Sequence, residues 1–132
     1  MTSYIAGKIT DLDGDEAEGN FMFAEMLVEE AGHEPLNPLK MVDQAEGRKY
    51  GEYLADALQI MLTEADAVLF LANWHESRGA RIEMFTAGEC GIPMYFKADQ
   101  LPRADINAES AENAEERPVG FQNFGVGIQT AK

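Results

Sequence analysis

Five consecutive apolar residues, Ala67-Val68-Leu69-Phe70-Leu71, stand between two stretches of helical spacing. A run so short and unbroken predicts a strand buried on both faces, as in the centre of a parallel sheet. Parallel neighbours need crossover connections, usually helices, and the chain supplies that alternation on either side. Tyr4-Ile5-Ala6 predicts a first strand ended by Gly7, followed by an acidic loop through Asp11, Asp13, Gly14, Asp15 and Glu16. Asn20 is the expected N-cap of a helix to Ala31, with Phe21, Ala24, Leu27, Val28 and Ala31 on one face. Gly32 stands at the C′ position. Glu34-Pro35-Leu36 predicts a short strand, placed near a sheet edge by its proline. Residues 37–49 read as a loop opened by Asn37-Pro38. A second helix is expected over 51–63, carrying Leu54, Leu58, Met61 and Leu62. After a loop at 73–77, Ser77 caps a third helix that ends near Cys90-Gly91, and Pro93-Met94-Tyr95-Phe96 forms a fourth strand.

The expected fold is α/β: a flavodoxin-like (Rossmann-like) three-layer sandwich with a central parallel sheet of four to five strands. A chain of 132 residues accommodates one such domain, expected over 1–98. From residue 99 the composition becomes acidic and rich in Ala and Asn, so 99–118 read as a linker or mobile segment. Val119, Phe121, Phe124, Val126 and Ile128 then restore apolar character. They fit either a disordered tail or a segment docking on the domain or on a neighbouring subunit.

The charge balance excludes whole classes of function. Ten Lys and Arg face 24 Asp and Glu, a formal net charge of −14. Affinity for nucleic acids and anionic membranes comes mainly from basic residues neutralising phosphates, so neither is an expected partner. A small phosphorylated ligand needs only a few local donors and stays compatible. The single cysteine, Cys90, cannot pair within the chain, and no Cys/His spacing predicts zinc. With no basic segment ahead of the first strand and no apolar run of about 20 residues, the expected location is the cytoplasm.

Glu83 is the most informative carboxylate. On a helix turning about 100° per residue, Arg78, Arg81 and Glu89 share one sector, and Glu83 lies roughly 140° from Arg78. Its neighbours one turn away are Gly79, Ala80, Thr86 and Ala87. An acid on the inward side among small residues is either a satisfied buried glutamate or a group facing a ligand. In the expected strand order the first and third strands adjoin at the topological switch point, where ligands bind beyond the carboxyl ends of the strands. Those ends carry Gly7, Lys8, Ile9 and Thr10 on one side and residues 72–79 on the other. Gly7 permits close approach of a ligand to the backbone. Ser77 brings a hydroxyl and helix-terminal N–H groups suited to a phosphate or carboxylate. Lys8, Arg78 and Arg81 add local positive charge. Trp74 serves either to stack on a base or to pack, His75 either touches ligand or is solvated, and His33 reads as structural. Asp11-Leu12-Asp13-Gly14-Asp15 imitates an EF-hand opening, but its glycine is at loop position four and position twelve is Met22. A phosphoacceptor receiver would need an Asp after the third strand, where the chain has Leu71-Ala72-Asn73.

Several segments in order carry a resemblance: Tyr4-Ile5-Ala6-Gly7-Lys8-Ile9-Thr10, Gly32-His33-Glu34, Asn37-Pro38-Leu39, Asp66-Ala67, Trp74, and Ser77-Arg78-Gly79-Ala80-Arg81-Ile82-Glu83. Over roughly residues 3–97 the chain resembles the nucleoside 2-deoxyribosyltransferase-like superfamily, in particular a small bacterial and phage branch. The superfamily also contains the 2′-deoxynucleoside 5′-monophosphate N-glycosidases. The resemblance implies cleavage of the N-glycosidic bond of a nucleoside 5′-monophosphate or related nucleotide, by hydrolysis or base exchange, without metal or cofactor. It matches Glu83 to the nucleophile, Ser77 to a serine that binds the 5′-phosphate, and Tyr4 to a tyrosine close to the sugar. Gly7, Lys8, Ile9 and Thr10 match the loop that wraps phosphate or base, with Arg78 and Gly79 beside it. It further implies a homodimer or higher homo-oligomer. One position departs: where the family has an Asp in the second helix, this chain has Leu58, and the nearest acid is Asp56, about 200° around a regular helix. An irregular helix would bring Asp56 in; otherwise the role is missing. A non-catalytic nucleotide sensor or sequestering protein is therefore the alternative expectation, with an acidic interaction module as the third.

Overall fold

The computed structural model describes residues 1–104, so the apolar positions between 119 and 128 lie outside the described residues. Four parallel strands form one sheet in the order β2-β1-β3-β4: β1 Thr2–Ala6, β2 Glu34–Leu36, β3 Ala67–Phe70 and β4 Met94–Tyr95. The helices are α1 Gly14–Glu30, α2 Pro38–Met41, α3 Tyr50–Glu64 and α4 Arg78–Glu89. This is an α/β, flavodoxin-like arrangement. β3 is buried at every position and β2 stands at the edge, as the apolar run and Pro35 predict.

The alternation of side chains along β1 and β3 sorts them into two cores. Tyr4, Ala6, Val68 and Phe70 face Ala57 and Met61 of α3 and Ala80 and Ala87 of α4. Ile5 and Leu69 face Phe21, Ala24 and Val28 of α1. The sheet is thus the middle of three layers. The register sets Tyr4 beside Val68 and Ala6 beside Phe70, so β1 and β3 end level with each other. The start of the pair is tied by Asp66, whose Oδ2 accepts from the Thr2 N–H at 2.9 Å.

Three boundaries differ from the pattern-based reading. α1 begins at Gly14, six residues before Asn20, with Asp13 at the N-cap position. Asp15 and Glu16 lie in its first turn, where negative charge complements the helix dipole, and Ala17 is buried one turn before Phe21. The acidic run is therefore largely helix start, not loop. Within the stretch expected to be loop, Pro38–Met41 forms a helical turn: Asn37 Oδ1 accepts from the Leu39 N–H at 2.9 Å, and Pro38 occupies the first turn. Asn37 is buried, so Asn37→Ala is expected to cost about 1 kcal/mol in urea denaturation. Finally, residues 98–104 lie against the domain. Leu101 joins the α1 core at 4% exposure, the Ala104 N–H donates to the Ala31 carbonyl at 2.8 Å, and the His33 ring bonds the Pro102 carbonyl. His33 also meets the N-terminal amine, in keeping with its structural reading.

Candidate active site

The ends of β1 and β3 open onto a cleft of about 350 Å³. Its floor is the pair formed by Tyr4 and Glu83. The Tyr4 hydroxyl donates to Glu83 Oε2 at 2.5 Å, and both side chains are buried, Glu83 at 6% exposure. The helical geometry of α4 accounts for this placement: Glu83 shares the inward face with Ala80 and Ala87, while Arg78, Arg81 and Glu89 are exposed. Burial pushes the Glu83 carboxyl up to about 7, and the hydrogen bond from Tyr4 pulls the other way. Burial, and then the Glu83 charge, hold the Tyr4 phenol well above its usual range, so it remains a donor. A buried carboxylic acid with one hydroxyl partner, titrating near neutrality in a cleft, has the features of a reactive group.

The loops at the mouth are joined to each other. The Lys8 N–H donates to Asn73 Oδ1 at 3.1 Å, linking the segment after β1 to the segment after β3. Gly7, Ile9 and Thr10 line the cleft from the first, and Ser77, Gly79 and Ala80 from the start of α4. Ser77 Oγ accepts from the Ala80 N–H at 3.1 Å and so caps α4, leaving its own O–H as a donor. Gly7 has a structural cause beside any ligand: a Cβ there would come within 2.5 Å of the Leu71 side chain. At Gly79 a Cβ would lie 2.9 Å from the Tyr50 hydroxyl, which reaches across from the first residue of α3, so a larger residue would displace that side chain.

Lys8 and Arg78 are drawn into a second, outer chamber of about 340 Å³ that also holds Arg81. The two chambers share Thr10, Tyr50, Ser77 and Gly79. Positive charge there is partly compensated: Lys8 Nζ lies 3.3 Å from Glu76, and Asp11 stands on the same wall.

Two further expected site residues, Trp74 and Asp56, line neither chamber. Trp74 takes the packing alternative, with its ring centroid 5.6 Å from that of Phe70 and 5.5 Å from that of Phe96. Asp56 lies on α3 with its carboxylate 2.7 Å from the Arg48 guanidinium. α3 runs unbroken from Tyr50 to Glu64, so no irregularity rotates Asp56 inward. Ala57 faces the cleft instead, and Leu58 packs on the core. Among the described residues that line the inner chamber, Glu83 is the sole carboxylate.

Sequence reasoning missed the opposite wall. Pro38, Val42 and Gln44 from the α2 region, and Arg48, Tyr50 and Tyr53 around the start of α3, complete the cleft. Arg48 lies over the Tyr53 ring at 5.0 Å and donates to the Asp43 carbonyl at 2.7 Å, which makes this irregular wall a braced one. The cluster of Arg and Tyr in residues 48–53 was the available signal.

A doubly wound sheet with a buried carboxylate at its β1/β3 switch point places the protein among α/β domains built around a cleft at the strand ends. More narrowly, a family profile described as a domain of unknown function (DUF4406) matches residues 1–96, and the chain belongs to that family. Comparison with curated proteins and with solved structures gives no match.

Proposed function

We propose that the cleft binds a nucleoside 5′-monophosphate or related nucleotide and that Glu83 cleaves its N-glycosidic bond. The observation that carries this reading is the Tyr4–Glu83 pair, buried on the floor of a cleft whose rim is the Ser77-capped start of α4. The phosphate meets the Ser77 hydroxyl and the first N–H groups of α4, and the sugar lies over Glu83. The carboxylate bonds to C1′ as the glycosidic bond breaks, and the base departs with its electron pair and takes a proton from solvent water. A second water then attacks C1′, breaking the ester bond to Glu83 and giving its proton to solvent, which returns the free carboxylate and the sugar phosphate; a second base in place of water gives transfer. Tyr4 holds the carboxylate in one rotamer and leaves the other oxygen, Oε1, for the anomeric carbon.

Attack requires the ionised carboxylate. With Glu83 titrating at about 7, kcat/KM is expected to rise about tenfold per pH unit below that value and to level off above it. A profile between pH 5 and 9 that falls with pH would make Glu83 a general acid instead. The broader test is chromatography of ribo- and deoxynucleoside monophosphates incubated with the protein, with base release expected for at least one.

A second reading is favoured by one specific observation. Asp56 is paired with Arg48 and Leu58 is in the core, so the inner chamber lacks the second carboxylate on which retaining glycosidases rely. A nucleotide sensor or sequestering protein keeps the binding half of the proposal without the bond cleavage. Nucleotide affinity in calorimetry without base release selects it.

A further inference from the structure

With the monophosphate held by Ser77 and the start of α4, as proposed above, the outer chamber is left unfilled. Its connection to the inner one is a neck of Thr10, Tyr50, Ser77 and Gly79. On the reading above, the 5′-phosphate sits at that neck, because Ser77 and the start of α4 are there. A group linked to the far side of this phosphate has the outer chamber within reach, since the two chambers share that neck. Lys8, Arg78 and Arg81 line it, against Asp11 and Glu76. In a chain of net charge −14, an excess of cations in one concavity is a local inversion of sign. Arg78 is exposed and enters no ion pair among the described residues, and Arg81 is held at this mouth by donation to the His75 carbonyl at 2.8 Å.

We infer that the outer chamber is a subsite for a second phosphoryl group, so that the ligand class is nucleoside 5′-diphosphates and their esters in preference to monophosphates. The inference rests on the cleft being a nucleotide site. The α- and β-phosphates divide between neck and outer chamber: the first takes neutral donors from Ser77 and the α4 backbone, the second takes the guanidinium groups of Arg78 and Arg81. Glu76 limits the affinity, since its carboxylate occupies Lys8 and repels the incoming anion.

The test uses the full chain carrying Glu83→Gln, which removes the nucleophile so that bound nucleotide persists. Calorimetric titration with matched mono- and diphosphates of each base is expected to give a diphosphate preference of at least about tenfold at low salt. In the added double variant Arg78→Ala/Arg81→Ala the mono-to-diphosphate ratio is expected to fall below about threefold, whereas Glu76→Gln widens it. Equal affinity for both classes, or a preference that survives loss of both arginines, overturns the second-phosphate subsite and leaves the proposed function standing. Absence of binding by every nucleotide overturns both.

Discussion

Glu83→Gln is expected to lower base release by at least about 10³-fold while leaving the fold and the cleft in place. Glutamine keeps the size of the side chain and an oxygen that accepts from the Tyr4 hydroxyl, so the 2.5 Å contact has an uncharged counterpart. What is lost is the anionic oxygen that bonds to C1′ in the proposed mechanism. Since the described lining of the inner chamber holds no other carboxylate, no neighbour substitutes. Chromatographic assay of freed base, with nucleotide affinity measured in parallel, separates this loss from a loss of binding. A variant that binds and still releases base at a rate within tenfold of the parent removes Glu83 from the chemistry.

The same substitution is expected to stabilise the protein above neutrality. The Glu83 carboxyl moves from 4.5 in the unfolded chain to about 7 in the folded one. Between those values the unfolded chain releases a proton that the folded chain retains, so stability falls as pH rises through the window. The penalty is absent below about 4.5 and complete above about 7. At about 1.4 kcal/mol per pH unit, the window amounts to about 3 kcal/mol. Glutamine carries no such penalty. Urea denaturation at pH 8 should therefore find Glu83→Gln more stable by about 3 kcal/mol, and at pH 4 the two proteins should be close. Equal or lower stability of the variant at pH 8 would mean that the buried carboxylate is ionised and fully compensated. Opposite signs for activity and stability in one variant mark a group kept for function at a cost to the fold.

The regular elements were the legible part of the chain. β3 announces itself because a strand buried on both faces tolerates no polar residue, and Glu83 does so because a 3.6-residue period places it opposite Arg78. Both are consequences of periodicity, which a sequence displays directly. The start of α1 was hidden because Asp13, Asp15 and Glu16 suit a loop by composition and a helix N-terminus by electrostatics, and only the burial of Ala17 decides between them. The wall made by Gln44, Arg48, Tyr50 and Tyr53 was hidden for a different reason. It is fixed by contacts across the fold, such as Tyr50 filling the space above Gly79, and no local period encodes those. The resemblance pointed to Asp56 by proximity in sequence, and the ordinary turn of α3 gave that residue to Arg48.

The acidity of the chain is compatible with a nucleotide ligand on these terms. Half of the 24 acidic residues lie on α1 and beyond residue 98, while at the cleft mouth Lys8, Arg78 and Arg81 outnumber Asp11 and Glu76. Anions meet a general barrier and a local attraction, and binding should weaken when Arg78 and Arg81 are lost.

The covalent bond proposed between Glu83 and the sugar can be trapped directly. A nucleoside monophosphate with fluorine at C2′ withdraws charge from C1′ and slows hydrolysis of the glycosyl-enzyme. Intact mass measurement should then show one sugar phosphate added per chain, fragmentation should place it on Glu83, and Glu83→Gln should remain unmodified. Base released from the fluorinated nucleotide with no adduct on the chain, or an adduct on any other residue, contradicts the account.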